Sequence, residues 1–235
     1  MPPFKRAVFP FDFVLLIGSA FVFLTLGAMA LYPGGTALDK ESHGYHFFVN
    51  FFSDLGRTTA RNDAPNPYGS KLFWVALTST GLSLGVFFLG FARFFWGSLG
   101  QRVATTAGVF FGLLSARSFI GIALNPANIR PHEHVQFVYA AFKCFPLAVF
   151  FFSIAMLLGQ AYPKRGAWIF GAFFLVLVSY LYLITKGPSP ESSEGLMIQA
   201  TGQKLVVYAS LLCVGLQSLI ARRHLTTFMV SKPVP

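Results

Sequence analysis

Acidic side chains are scarce: eight Asp and Glu stand against eighteen Lys and Arg in 235 residues. None of the eight lies in the middle of an apolar stretch, which argues against an ion channel or pump that carries carboxylates at mid-membrane. Cysteine is almost missing. Cys144 and Cys213 both sit within apolar stretches, where a small buried hydrophobe is the expected role and a disulfide or metal pair is not. Histidine is absent from the apolar interiors, which excludes haem ligation across a bundle. The chain has no Gly-rich phosphate loop, no His-Glu-x-x-His run and no Gly-x-Ser-x-Gly elbow. It also has no internal repeat, which weighs against an inverted-repeat transporter.

What the chain does have is long apolar runs. Six of them, over 11–32, 72–95, 103–124, 135–159, 167–185 and 198–220, reach the roughly 20 residues that span a hydrocarbon core of ~30 Å. They use more than half the chain and leave no separate soluble domain. The expected fold class is therefore all-α: one polytopic membrane bundle over 1–235 with six transmembrane helices. Charge gives the orientation. The connections on one side hold Lys5, Arg6, Arg93, Arg102, Lys164, Arg165, Arg222, Arg223 and Lys232, with Asp12 their sole acid. The other side takes Asp39, Glu41, Asp54, Asp63, Glu133, Glu191 and Glu194. Short basic connections face the cytoplasm, so both termini are expected inside. This topology signal accounts for the inner basic residues without nucleic acid, since no single basic stripe forms. Lys5-Arg6 and the apolar run up to Ala30 have the outline of a signal peptide. That run exceeds the 7–15 residues typical of one, favouring an uncleaved first helix.

Within the spans, Gly81, Gly85 and Gly90 on the second and Gly108, Gly112 and Gly121 on the third predict close approach of these two helices. Pro146 predicts a kink or local loosening of the fourth.

The first outer connection carries the richest pattern. At 100° per residue, His43, His46, Asn50, Ser53, Asp54 and Arg57 share one face, and Tyr45, Phe48, Phe52 and Leu55 the opposite one. This predicts an amphipathic interfacial helix over 43–56, ended by Gly56. A plain membrane anchor is the simple reading. The chemical variety of the polar face is the argument for a site.

Arg117 and Lys143 are the costliest residues of the spans the pattern defines. They lie roughly 10 and 12 Å inside the outer ends of the third and fourth spans at 1.5 Å per residue. Each costs ~2.5–3.5 kcal/mol if left unpaired. Either both snorkel outward, or they wall an outward-open cationic pocket. Such a pocket would receive Asp54, Glu133 or an anionic lipid group. Four of the five histidines, His43, His46, His132 and His134, fall on the same outer side. His46, Asp54, His132 and His134 are thus candidate Zn²⁺ ligands with an open position for water. His132 and His134, two apart on a helix, point to different faces and need a break there to ligate together.

Ser53-Asp54-Leu55-Gly56-Arg57-Thr58, followed by Asn66-Pro67 and Leu72-Phe73, resembles an uncharacterised family of prokaryotic six-helix membrane proteins. In that family a Ser-Asp/Glu-Leu-Gly motif follows the first helix, and His132 or His134 matches a histidine after the third. More distantly it looks like the DRAM autophagy modulators and related proteins of GPI-anchor processing. The resemblance implies a multi-pass protein of a bacterial inner membrane with a focal site at Ser53 and Asp54, and implies no reaction. A looser likeness to ceramidase and progestin-receptor-like zinc hydrolases stops at their seventh helix and their His-x-x-x-His, which this chain lacks.

The expected function is recognition of an anionic membrane lipid or a partner membrane protein, through Arg117, Lys143, Arg57, Ser53, Asp54 and Asn50. No cofactor and no nucleic-acid partner are expected. The alternatives are a zinc-dependent lipid hydrolase and an accessory subunit of a larger membrane complex.

Overall fold

The computed structural model describes residues 3–160 and 162–230. Six helices run through it: α1 (Pro3–Ala30), α2 (Pro67–Ala92), α3 (Leu99–Leu124), α4 (Pro131–Leu158), α5 (Arg165–Lys186) and α6 (Ser193–Val230). All six are long and apolar enough to cross a membrane. Each matches one apolar run, and most begin several residues earlier. Pro67 and Pro131 open α2 and α4, because proline costs nothing at a first helical position whose N–H has no partner. Ser98 opens α3: its Oγ accepts from Gln101 N at 3.2 Å, and Gln101 Oε1 accepts from Ser98 N at 3.3 Å. Such a reciprocal cap satisfies two orphan donors.

Each helix packs on the next in the chain, and α6 returns to α1, so the bundle closes as a ring. Its half away from the 31–66 connection is filled by phenylalanine. Phe88 of α2 stacks on Phe152 of α4 with centroids 5.6 Å apart, and Phe91 meets Phe170 of α5 at 5.8 Å. The expected α2–α3 glycine seam is present. A Cβ on Gly112 would lie 2.4 Å from the Phe88 ring, and one on Gly81 would lie 2.8 Å from Ala116 O. Gly90 instead faces Pro10 of α1, and Gly108 and Gly121 face Phe152 and Phe137 of α4. Glycines thus admit rings along several seams.

The helix expected over 43–56 is not formed. Only a 3₁₀ turn, Phe52–Gly56, is helical there. Glycine backbone and a buried amide explain the difference. Gly34, Gly35 and Gly44 adopt φ of 143°, 80° and 71°, and Gly34 bridges to His43 in antiparallel fashion. Gly44 thus breaks a helix at its first turn, since left-handed φ is incompatible with continuation. Asn50 then accepts from His46 N at 2.9 Å and donates to Gly35 O at 2.7 Å, side-chain bonds that close a turn instead of a longer helix. The connection 31–66 is a compact cap on one end of the bundle, the end that also holds 125–130 and 187–192. The first turns of α1 and the last turns of α6 lie at the other end, where Arg222 Nε pairs with Asp12 Oδ1 at 2.9 Å.

Candidate functional site

Phe52 anchors the cap. Its ring stacks on Phe21 of α1 at 5.8 Å and meets Phe73 of α2 and Tyr208 of α6 at 6.2 and 5.9 Å. With this ring inserted between three helices, the polar residues on either side are drawn below the surface. Asp54 is 2% exposed. A carboxylate there needs full compensation, and it receives three donors. Arg61 Nε reaches Oδ1 at 2.9 Å, while Phe51 N and Asn50 Nδ2 reach Oδ2 at 2.9 and 3.4 Å.

Lys204 enters the same cluster from α6. It is 1% exposed, and its Nζ donates to Asn50 O and, at 3.2 Å, to Ala200 O. The rings of Tyr45 and Phe47 lie 5.4 and 5.2 Å from the ammonium, a range in which aromatic faces attract a cation. One residue earlier, Gln203 Oε1 accepts from Phe52 N at 2.6 Å. Asn66 donates to Leu55 O at 3.2 Å and Arg57 O at 2.9 Å, leaving its Oδ1 buried and without a partner among the described residues. Thr58 and Asn128 exchange two bonds, of 3.1 and 2.9 Å, which join the cap to the α3–α4 connection.

The electrostatics of the cluster are unbalanced. Arg57, Arg61 and Lys204 converge on one carboxylate, and among the described residues Arg57 makes no ion pair. Its Nε donates to Thr59 O at 3.2 Å. Burial, and then the neighbouring Arg61 charge, push the Arg57 guanidinium pKa down, while Asp54 opposes them. Burial first and the Asp54 carboxylate second push the Tyr32 phenol up to about 12 and the Tyr45 phenol up as well. Both phenols therefore stay neutral beside the carboxylate, and Tyr32 OH accepts from Arg61 N at 3.1 Å.

Of the residues singled out in the sequence, Asn50, Asp54 and Arg57 come together here, while Ser53 faces the small pocket beneath them. Arg117 and Lys143 do not. Both are exposed on the outer surface of the bundle, Arg117 5.9 Å from the Phe137 ring and Lys143 5.5 Å from the Tyr139 ring. Neither lines the cavities beneath the 31–66 connection, and the partner of Asp54 is Arg61. The reason is rotational: a residue's depth along a helix does not say which way it points. Of the candidate zinc ligands, His134 lies within electrostatic reach of Asp54. Among the described residues no three His, Cys, Asp or Glu side chains are placed to hold a metal ion. Asp54 is committed to Arg61. His134 is buried with Nδ1 2.8 Å from Asn125 O, so that nitrogen carries the hydrogen. His132 Nε2 lies 2.8 Å from Gln136.

Lys204, Arg61, Gln203 and Asn66 are the cluster members that sequence reasoning missed. Lys204 had a legible signal, since it stands inside the apolar run 198–220 at a depth comparable to that of Arg117. Arg61 had none, being an ordinary arginine in a polar stretch.

Beneath the cap the bundle is hollow. A pocket of about 40 Å³, touched by Phe52, Ser53 and Gln203, lies against the underside of the cluster. It shares Phe21, Leu77, Phe119, Phe142 and Val207 with a larger apolar cavity of about 320 Å³ between α1, α2 and α6. No protein-family model matches the chain, and neither does any curated protein or any solved structure.

Proposed function

We propose that this integral membrane protein binds an anionic amphiphile, a lipid with a phosphate or carboxylate head, at the cap over the α1–α2–α6 cavity. The observation that carries this reading is the charge excess of the cluster. Three cations meet one carboxylate, and the Arg57 guanidinium keeps donors free of any carboxylate. Fork-shaped donors suit phosphate and carboxylate oxygens in a bidentate manner. Partial burial strengthens such a bond relative to water. The likeness of Ser53–Thr58 to the prokaryotic six-helix family supports the same focus at Ser53 and Asp54. The charge asymmetry of the connections favours a cap on the outer face, with both termini in the cytoplasm of a bacterial inner membrane.

Native mass spectrometry of the protein with phosphatidylglycerol or phosphatidylethanolamine tests the reading. Arg57→Gln should lower retention of the anionic lipid and leave the zwitterionic one unchanged. The double variant Arg117→Met/Lys143→Met, which touches only the outer surface, should alter neither. Loss of anionic lipid in the double variant, with none lost in Arg57→Gln, would move the site to the lipid-facing cations and overturn the proposal.

A further inference from the structure

Gly18 of α1 and Gly215 of α6 differ from the tightly packed glycines that admit rings. A Cβ added to Gly112, Gly108 or Gly121 would stand 2.8 Å or less from a phenylalanine ring. On Gly18 of α1 the nearest atom to such a Cβ is Leu211 Cδ2 at 4.0 Å, and on Gly215 of α6 it is Leu15 Cδ2 at 3.9 Å. At both positions a Cβ would come no nearer than ordinary contact with one leucine methyl, so the glycines leave room. Ser19, Ser83 and Ser210 widen it further, and Leu77, Leu84, Phe142 and Phe145 form its back wall. The result is the cavity of about 320 Å³, at the small end of the ~300–1,000 Å³ typical of ligand sites.

Its shape and opening narrow the class of occupant. Lining residues run along α6 from Gly215 to Val207 and, through the smaller pocket, to Gln203. From Val207 to Gly215 the cavity itself follows α6 for about 12 Å at 1.5 Å per residue, and the smaller pocket continues the line toward the cap. The lining residues that are also exposed are Ser19 of α1 and Leu212 of α6, so the mouth lies along the α1–α6 seam. Both helices are membrane-span candidates, and the medium at that seam is hydrocarbon. A long, narrow, apolar space open sideways to hydrocarbon matches a linear aliphatic chain.

We infer that the α1–α6 seam is a binding site for one aliphatic chain of a membrane lipid, which lies between Gly18 and Gly215 with its polar end toward Ser53 and Gln203. The inference extends the head-group reading to the rest of the same lipid and rests on it for the pairing of head with chain. The chain site itself is independent of charge.

Photolabelling in nanodiscs separates the two. The probes are a long-chain alcohol and a fatty acid of equal length, each carrying a diazirine near the chain end, with labelled residues mapped by mass spectrometry. Both should label lining positions within 14–22 and 207–215. Gly215→Leu, and Gly18→Leu/Gly215→Leu, fill the space from helix positions with room for a Cβ. They should lose this labelling while keeping a melting midpoint no lower than that of the parent. If labels fall instead on the outward residues Leu16, Phe23 and Leu205, and the filled variants label as the parent does, the chain is ordinary surrounding lipid and the inference fails. Arg57→Gln should weaken labelling by the fatty acid and not by the alcohol. Fatty-acid labelling in that variant unchanged from the parent, with cavity labelling intact, would leave the chain site standing and remove the head-group reading.

Discussion

Removing the Asp54 carboxylate is the sharpest test of the cap. Asp54→Ala strips Arg61 Nε of a partner at 2.9 Å and frees Phe51 N and the Asn50 amide within a buried cluster. It also leaves Arg57, Arg61 and Lys204 facing one another with no negative charge between them. Breaking a buried pair by deleting one partner costs roughly 3–5 kcal/mol. The Arg61 side chain is 30% exposed, so water screens part of this and the lower half of the range is expected. The control is Asp63→Ala. Asp63 pairs with Lys40 at 2.6 Å, but with side chains 73% and 66% exposed, and such surface pairs contribute at most about 1 kcal/mol. For a domain of this size ~1 kcal/mol moves the melting midpoint by roughly 2–4 °C. Asp54→Ala should thus melt roughly 6–16 °C below the parent, and Asp63→Ala within a few degrees of it. The assay is thermal unfolding in one detergent, followed by intrinsic tryptophan fluorescence. Equal midpoints for the two variants would refute the buried pair. A further loss on adding Arg61→Met to Asp54→Ala would show that the two side chains act separately.

Three more outcomes are expected. Gly112→Ala places a Cβ 2.4 Å from the Phe88 ring and should cost ~1–3 kcal/mol by overpacking, whereas Gly171→Ala meets nothing within 4 Å and should be neutral or better. Equal melting of the two would dismiss the glycine seam as a packing device. Tyr32 is pushed up from 10.0 to about 12 by burial and by Asp54. An acid raised on folding stabilises below its unfolded pKa and loses that stability as pH climbs through the folded one, so stability should decline between pH 10 and 12. Tyr32→Phe should flatten that decline, and an unchanged slope of melting midpoint against pH would count against the assignment. Cysteines placed at Asp63 and Glu191 should react with an impermeant thiol reagent from outside intact cells, while one at Lys164 should not. Reaction at Lys164 with protection at Asp63 inverts the orientation.

Helix number and position were legible because a membrane span is a property of local composition. A run of about 20 apolar residues reads as a helix whatever it packs against. The α2–α3 glycine seam was legible for a related reason, since small residues at helical spacing mark close approach. Even so, only packing revealed that Gly90, Gly108 and Gly121 serve other neighbours.

The candidate site divides differently. Asn50, Ser53, Asp54 and Arg57 were found through a helical period that the chain does not adopt. Asn50, Asp54 and Arg57 converge because Gly34, Gly35 and Gly44 turn the segment back on itself and Phe52 pins it between α1, α2 and α6. Lys204 lies 150 positions from Asp54 in the sequence, and no local pattern links the two. Arg117 and Lys143 show the converse, matched in depth but turned outward by the rotation of α3 and α4. Depth is written along one helix and can be counted from the sequence. Which side chains meet is set by how six helices rotate against each other, and that is decided by packing among residues far apart in the chain.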